Sequence, residues 1–429
     1  MTGRSLSQGN YSIGLETVLE SQGTGMSMSS RERIRTAMRR EVPDRVPEMC
    51  QLGVGHYFRH TDLQPIDIWF RSEGFAEALV QLQRRYRFDG ILVNLPGRDP
   101  DFEQHIDRVE EKTRREETWV WWKNGNYTIV PHDDNPHYFQ SDRTRYFPTF
   151  EEITPDHLWY VEPWDLTDIT YPYTWGFDSE PRDFEDYFPE FHTDTIRAVK
   201  SRVGNEVSVH GEVFSPFAQF LELLNYEHAL LALIDDPAKT HACLDRLTEG
   251  TIQLATSQAK AGVDAILISS AFAGAGLISR ENYEEFVLPY ERRLIQAVKA
   301  ASDDIVFYTH TCGAIGDRLD LMLASGTNGI DTLDPPPLGT VELDQAVAQL
   351  KGKAFIKGNL DPVTTLLQGS VDDVEQAVMH RINVAGQGGG YILSSACSVA
   401  PRTRPENIEQ LSQLVEEHGR YGCGGILDG

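Results

Sequence analysis

Ile305-Val306-Phe307-Tyr308-Thr309-His310-Thr311-Cys312-Gly313 decides how the rest of the chain is read. Ile305 to Tyr308 are apolar or aromatic, the composition of a buried strand. A glycine and a fresh helical pattern, Ile315 to Ala324, follow. Residues i and i+2 of a strand share a face. The His310 imidazole and the Cys312 thiol can therefore converge where the strand gives way to a loop. A buried strand that runs directly into a helix is the unit of a parallel sheet.

The same unit recurs on both sides. Downstream, the pattern predicts strands at Gly329–Thr332, Ala354–Lys357 and Tyr391–Leu393, with helices at Ile315–Ala324, Leu343–Leu350, Val371–Ala385 and Pro405–His418. Upstream it predicts strand Ala265–Ile268 before a helix over Arg280–Ala301. Strand Val207–His210 is preceded by a helix at Thr195–Arg202. It is followed by helical stretches at Pro216–Asn225, Glu227–Ile234 and Pro237–Ala261. A helix at Phe75–Arg87 leads to strand Phe88–Asn94, and Pro43–Met49 turns into an earlier strand. Ser30 caps a first helix from Arg31. With the early strands at Val46 and Ile91, the count suits a (β/α)8 TIM barrel with right-handed crossovers. An open doubly wound sheet is the alternative, but no GxGxxG or P-loop pattern follows a strand.

Two regions stand outside this repeat. Residues 1–29 are rich in Ser, Gly and Thr and read as a flexible N-terminal leader. Residues 30–429 then form a single barrel domain, interrupted by an aromatic, acidic insertion at about 100–190. The insertion opens with a hairpin signature: Thr118-Trp119-Val120-Trp121-Trp122, a turn at Asn124-Gly125, and Tyr127-Thr128-Ile129-Val130. Its later aromatics, Trp159 to Phe188, read either as a packed insertion or as a lid or partner surface.

Composition narrows the classes of function. The chain has 429 residues, 40% hydrophobic and 24% charged, with a formal charge of −26. Such a surface disfavours nucleic acid and anionic membranes. No apolar run is long enough to span a bilayer and no signal-peptide pattern opens the sequence, so a cytoplasmic protein is expected. Five scattered cysteines argue for a reducing compartment rather than a disulfide framework. Cys243 reads as helix filler, and Cys423 lies in a glycine-rich tail.

In barrels the chemistry lies at the C-terminal strand ends. The residues collected there are His210, Glu212, Ser269, Ser270, His310, Cys312, Asp331, Asp334, Lys357, Asn359, Asp361, Ser395 and Cys397. His310, Cys312 and Cys397 form a donor set suited to catalytic zinc, which uses three protein ligands and an open fourth position. Metal-free core residues, or a Cys312–Cys397 disulfide, are the alternatives that these residues leave open. Glu212 reads as a fourth ligand or proton acceptor, against a solvated loop carboxylate. Asp361 reads as catalytic, against a turn-capping residue before Pro362.

These motifs resemble a family. His310-Thr311-Cys312 with the distant Cys397 is similar to the zinc motif of the cobalamin-dependent methyltransferases in the uroporphyrinogen decarboxylase superfamily. Pro43-Asp44-Arg45-Val46-Pro47 resembles that superfamily's N-terminal segment. Gly262-Val263-Asp264-Ala265-Ile266 and Phe286-Val287-Leu288-Pro289-Tyr290 resemble its central segment, and Gly358-Asn359-Leu360-Asp361-Pro362 its loop. The resemblance implies a (β/α)8 barrel and a methyl group moved between a corrinoid and a thiol or other small molecule. It implies Zn2+ on His310, Cys312 and Cys397, and methylcobalamin or a corrinoid protein as co-substrate. Glu212 and Asp361 are the expected catalytic residues, Asn359 and Ser269 the expected cofactor contacts. A corrinoid protein and a small methyl donor or thiol acceptor are the expected partners, and a homodimer is one open assembly state. The arginine-rich segment of the decarboxylases is absent at Met49-Cys50-Gln51-Leu52-Gly53, and their strand-end aspartate is absent near Asn94-Leu95. A metal-independent lyase and a non-catalytic corrinoid- or partner-binding barrel are the rival readings.

Overall fold

The first helix starts one residue earlier than the pattern predicts. In the computed structural model, which describes residues 27–139, 141, 148–161, 183–422 and 427, α1 (Ser30–Met38) is capped by Ser29 rather than Ser30. Glu32 N donates to Ser29 Oγ at 3.2 Å and Ser29 N donates to Glu32 Oε2 at 3.0 Å, a reciprocal capping box. Removing such a cap costs about 1 kcal/mol. Then come α2 (Val54–His60), α3 (Pro65–Phe70) and α4 (Ser72–Tyr86), of which only α4 was expected. At 7 and 6 residues, α2 and α3 are too short to display a helical period.

After β1 (Gly90–Val93) the chain builds an antiparallel sheet. It comprises β2 (Ile106–Lys112), β3 (Glu117–Trp122), β4 (Tyr127–Pro131) and β5 (His137–Phe139), in that order. The expected hairpin is β3–β4, turning at Gly125 with φ +89°, where a side chain would strain the backbone. Val120 and Trp122 point into the core, while Trp119 stacks on Tyr127 across the other face at 5.3 Å. Of the later aromatics, Trp159 stacks on Phe184 and the Tyr187 hydroxyl donates to Tyr160 O at 3.0 Å, so these pack on one another. Trp164, Tyr171, Tyr173, Trp175, Phe177 and Cys423 lie outside the described residues, as does the leader up to residue 26.

The alternating half follows. It contains α5 (Asp194–Val203), β6 (Ser208–Phe214), α6 (Pro216–Leu224), α7 (Tyr226–Asp235), α8 (Pro237–Lys260) and β7 (Ala265–Ser269). Next are α9 (Arg280–Phe286), α10 (Leu288–Ala301), β8 (Val306–His310), α11 (Leu319–Ala324) and β9 (Gly329–Thr332). The chain continues with α12 (Leu343–Leu350), β10 (Phe355–Leu360), α13 (Val371–Ala385), β11 (Tyr391–Ser395) and α14 (Pro405–His418). The single helix expected over 280–301 is two, because Pro289 supplies no N–H to the preceding turn and its ring crowds it. β6, β10 and β11 run further than their apolar cores, since polar residues facing a site end the hydrophobic run without ending the strand.

β1 and β6 to β11 form one curled, wholly parallel sheet of seven strands, in chain order. The stretch expected as the first strand is extended backbone that bonds both sheet edges. Asp89 N, just before β1, donates to Glu48 O at 2.9 Å, and Leu393 N of β11 donates to Pro47 O at 2.8 Å. Inside the curl, Met49, Leu92, Leu267, Tyr308, Phe355 and Ile392 pack with Ile34, Ala37 and Met38 of α1, which plugs the N-terminal end. A larger apolar layer fills the space between sheet and helices. His210, expected at a strand end, lies within β6, fully buried. Its Nδ1 lies 2.9 Å from Tyr308 Oη and its Nε2 lies 3.0 Å from Ser208 Oγ. With the N-terminal end filled, the polar groups collect at the other end.

Candidate metal centre

His310 is the last residue of β8, level with Ser269 on β7 and Asp331 on β9. Cys312 follows two residues on, before Gly313 at φ +77°. Cys397 lies two residues past the end of β11. The three ligand atoms lie within 4.8 Å of one another. His310 Nε2 is 3.3 Å from Cys312 Sγ, and the two sulfurs are 3.9 Å apart. A disulfide needs about 2.05 Å, and both thiols are free. Tetrahedral zinc with Zn–S near 2.3 Å sets two sulfurs about 3.8 Å apart. The donor set and its spacing fit that ion.

The histidine is oriented from behind. His310 Nδ1 lies 3.0 Å from Asp331 Oδ2 and 2.9 Å from Thr332 Oγ1. Asp331 Oδ1 in turn accepts from Lys357 Nζ at 3.0 Å, and all these groups are buried. With Nδ1–H directed at Asp331, Nε2 presents its lone pair to the cysteines, the arrangement that fixes a metal-binding imidazole. Burial works against a charge on His310, yet Cys312, Asp331 and Cys397 together raise its pKa well above the ordinary value. The proton shared between the sulfurs favours a thiolate on Cys397: the Cys312 thiol bonds to it and the His310 charge lowers its pKa. Burial also works against the Asp331 charge, but Lys357 and His310 outweigh it and lower the pKa.

Glu212, on β6, faces the same point. Burial pushes its carboxyl up to about 7, against the pull of His310 and a hydrogen bond with Ser269. Asp334 accepts from Gly313 N at 2.6 Å, beside Cys312, and burial raises its pKa. The structure thus brings Glu212, Ser269, His310, Cys312 and Cys397 together. Asn359, at the end of β10, bonds Leu333 O through Nδ2 at 2.8 Å, and its buried Oδ1 has no hydrogen-bond partner. Asp361 Oδ1 accepts from Val363 N and Thr364 N, both at 2.8 Å, so it caps the turn Pro362–Leu367. Ser270 Oγ donates to Ser215 Oγ, and Ser395 N donates to the buried Cys50 sulfur. Cys243 is core filler in α8. Nothing in the sequence pattern singles out Thr332, and Asp331 and Lys357 read there only as strand-end residues. Their partnership with His310 follows from the β8–β9 and β9–β10 registers, which no local pattern encodes.

Comparison with known proteins bears on this arrangement. Residues 179–418 match the family model "Uroporphyrinogen decarboxylase (URO-D)". A uroporphyrinogen decarboxylase from Chlorobium limicola is 28% identical over 242 residues, which is 53% of this chain and 65% of that protein. The methylcobamide:CoM methyltransferase MtbA of Methanosarcina acetivorans is 27% identical over 225 residues, 52% of this chain and 62% of that one. Each alignment spans under two thirds of the relative's length. A solved methyltransferase from Methanosarcina mazei shares the fold at TM-score 0.63 and 18% identity, over 91% of this chain and 99% of its own.

Proposed function

This chain belongs to the uroporphyrinogen decarboxylase family, and from that premise we propose that it is a zinc-dependent methyltransferase working between a corrinoid and a thiol or other small molecule. One observation carries the reading: His310 Nε2, Cys312 Sγ and Cys397 Sγ converge at strand ends with Asp331 behind the imidazole. It rests on a (β/α)8 barrel in which Val46–Leu52 takes the eighth place between β11 and β1. Methylcobamide:CoM methyltransferases among the relatives support the corrinoid partner.

Held by these three residues, zinc supplies the positive charge that lowers a thiol's pKa into the neutral range. Asp331 and Thr332 hold the His310 ring in place, and Lys357 keeps Asp331 ionised. Glu212, with its pKa near 7, takes the thiol proton on its carboxylate and gives it up to water. A corrinoid co-substrate would give the methyl group to the thiolate sulfur, the S–C bond forming as the methyl–cobalt bond breaks with its electron pair left on cobalt, or would take it by the reverse of that step. Asn359 and Ser269, both buried near the same strand ends, are the substrate contacts this reading assigns.

Metal analysis of the purified protein tests this. We expect about one zinc per chain, lost in the Cys312→Ala/Cys397→Ala double variant, and methyl transfer that disappears with it. A protein without zinc, or with zinc unchanged in the double variant, leaves the metal-independent lyase reading instead.

A further inference from the structure

Two of the three side chains that converge at the metal centre are thiols, and they face one another. Cys312 Sγ and Cys397 Sγ lie 3.9 Å apart, both free and both half-buried, so a small oxidant can reach them. They are 85 positions apart in sequence. They stand at the ends of β8 and β11, with β9 and β10 between those strands. Cys50 and Cys243 are of another kind. Both are buried, and burial pushes each thiol up to about 11, where little of it is thiolate at neutral pH.

The backbone around the pair leaves it room to move. Cys312 lies outside β8 and precedes Gly313, which has φ +77° and where an added Cβ would meet nothing within 4 Å. Cys397 lies two residues past the end of β11. Closing 3.9 Å to a disulfide bond length asks for about 1.9 Å, which rotations about the two Cα–Cβ bonds can share. Cysteines that hold a metal do so as thiolates, and the thiolate is also the form that attacks an oxidant.

We propose that Cys312 and Cys397 are a reversible redox pair that a peroxide closes into a disulfide, releasing the metal and switching the site off. One thiolate attacks the peroxide: an S–O bond forms as the O–O bond breaks, and the departing hydroxide takes a proton to become water. The second sulfur then attacks the sulfenic sulfur. The S–S bond forms, the S–O bond breaks and a second water leaves. Two electrons have passed from the sulfurs to the peroxide. The disulfide offers no thiolate, so His310 alone remains of the three ligands that a catalytic zinc uses. A dithiol restores both thiols by exchange and is itself oxidised to a disulfide. The proposal rests on the zinc reading above and adds the regulation of that site.

Hydrogen peroxide added to the reduced, zinc-loaded protein tests this. Released zinc is read with a colorimetric chelator, and the cysteines are mapped by alkylation and peptide mass spectrometry. We expect a loss of about one zinc per chain, in step with a Cys312–Cys397 cross-link, while Cys50 and Cys243 remain thiols. Dithiothreitol followed by zinc should reverse both changes. In Cys397→Ser the same treatment should carry Cys312 on to the sulfinic acid, which dithiothreitol does not reverse. Zinc that stays bound with both thiols free overturns the proposal and leaves the zinc reading standing. Release of zinc with both cysteines carried to sulfinic acid, or cross-linked to other cysteines, overturns it as well. A protein purified without zinc whose Cys312 and Cys397 still cross-link reversibly supports the redox pair and removes the zinc reading.

Discussion

Asp331 holds a position between two groups that pull on it from opposite sides. One oxygen faces His310 Nδ1 and the other takes the Lys357 ammonium, both at 3.0 Å and both buried. Removing its charge has two separable effects. The imidazole loses its orienting partner, and outer-shell partners of this kind are worth about 10- to 100-fold in metal affinity. Lys357 is left buried and unpaired, which costs about 3–5 kcal/mol. Asp331→Asn should therefore both weaken zinc retention and lower stability. Adding Lys357→Met should restore most of the stability and none of the affinity. Chelator competition and urea unfolding on the two variants check this, and a full return of zinc affinity in the double variant would contradict it. His310, Cys312 and Cys397 were legible in sequence as a candidate donor set because the first two share a strand face by spacing alone, and because thiols are scarce in the chain. Asp331 was legible only as a strand end: its partnership with His310 is set by the β8–β9 register, which no local pattern encodes. Glu212 was legible as a carboxylate at the right level, but its raised pKa comes from burial.

At the scale of elements, α2 secures the loop that carries Cys397. His56 Nδ1 lies 3.1 Å from Ala400 O and its Nε2 lies 2.8 Å from Tyr86 Oη, while His60 Nε2 lies 3.0 Å from Pro401 O. Gly53 N donates to Val399 O at 3.0 Å, and Val399 N donates to Gln51 O at 2.8 Å. Three consecutive residues just beyond Cys397 are thus tied to one short helix and its approach. Burial holds the His56 pKa down at about 3, so the clamp stays neutral at working pH. His56→Ala should loosen it: zinc retention falls roughly tenfold, equivalent to about 1.4 kcal/mol, and the thiolate-to-metal absorption of a cobalt-substituted sample weakens. His56→Gln, which can still donate to Ala400 O, should recover part of both. An unchanged cobalt spectrum in folded His56→Ala would show that the loop supports itself. The helix was missed in sequence because Val54–His60 mixes apolar and basic residues over fewer than two turns. By contrast, α12, α13 and α14 were read to the residue. Ser370 caps α13 with Asp373 reciprocating, and Pro405 opens α14 where its missing N–H is harmless.

Across the whole molecule, the parallel sheet was legible because strands covered on both sides are almost wholly apolar, and because each is followed by a helix. β2 and β5 were not: β2 reads Ile-Asp-Arg-Val-Glu-Glu-Lys, and only pairing with β3 makes it a strand. Large buried layers also force titratable groups inward, and Glu291 of α10 shows the consequence. It is fully buried between Tyr283, whose hydroxyl lies 3.3 Å from Oε2, and Ser270. Burial pushes its carboxyl up to about 7, against the hydrogen bonds from Ser270 and Tyr283. The unfolded value is 4.5, so between these two values the folded protein holds a proton that the unfolded chain releases. The stability this confers is complete below pH 4.5 and is lost as pH rises through 7. A gap of about 2.5 pH units corresponds to about 3 kcal/mol at most. Glu291→Gln keeps the shape and removes the ionisation. Urea unfolding should find it close to wild type at pH 5 and more stable than wild type at pH 8, by up to that amount. A difference between the two proteins that does not change with pH would mean that Glu291 titrates as it does in the unfolded chain, and that the helix layer over β7 admits water.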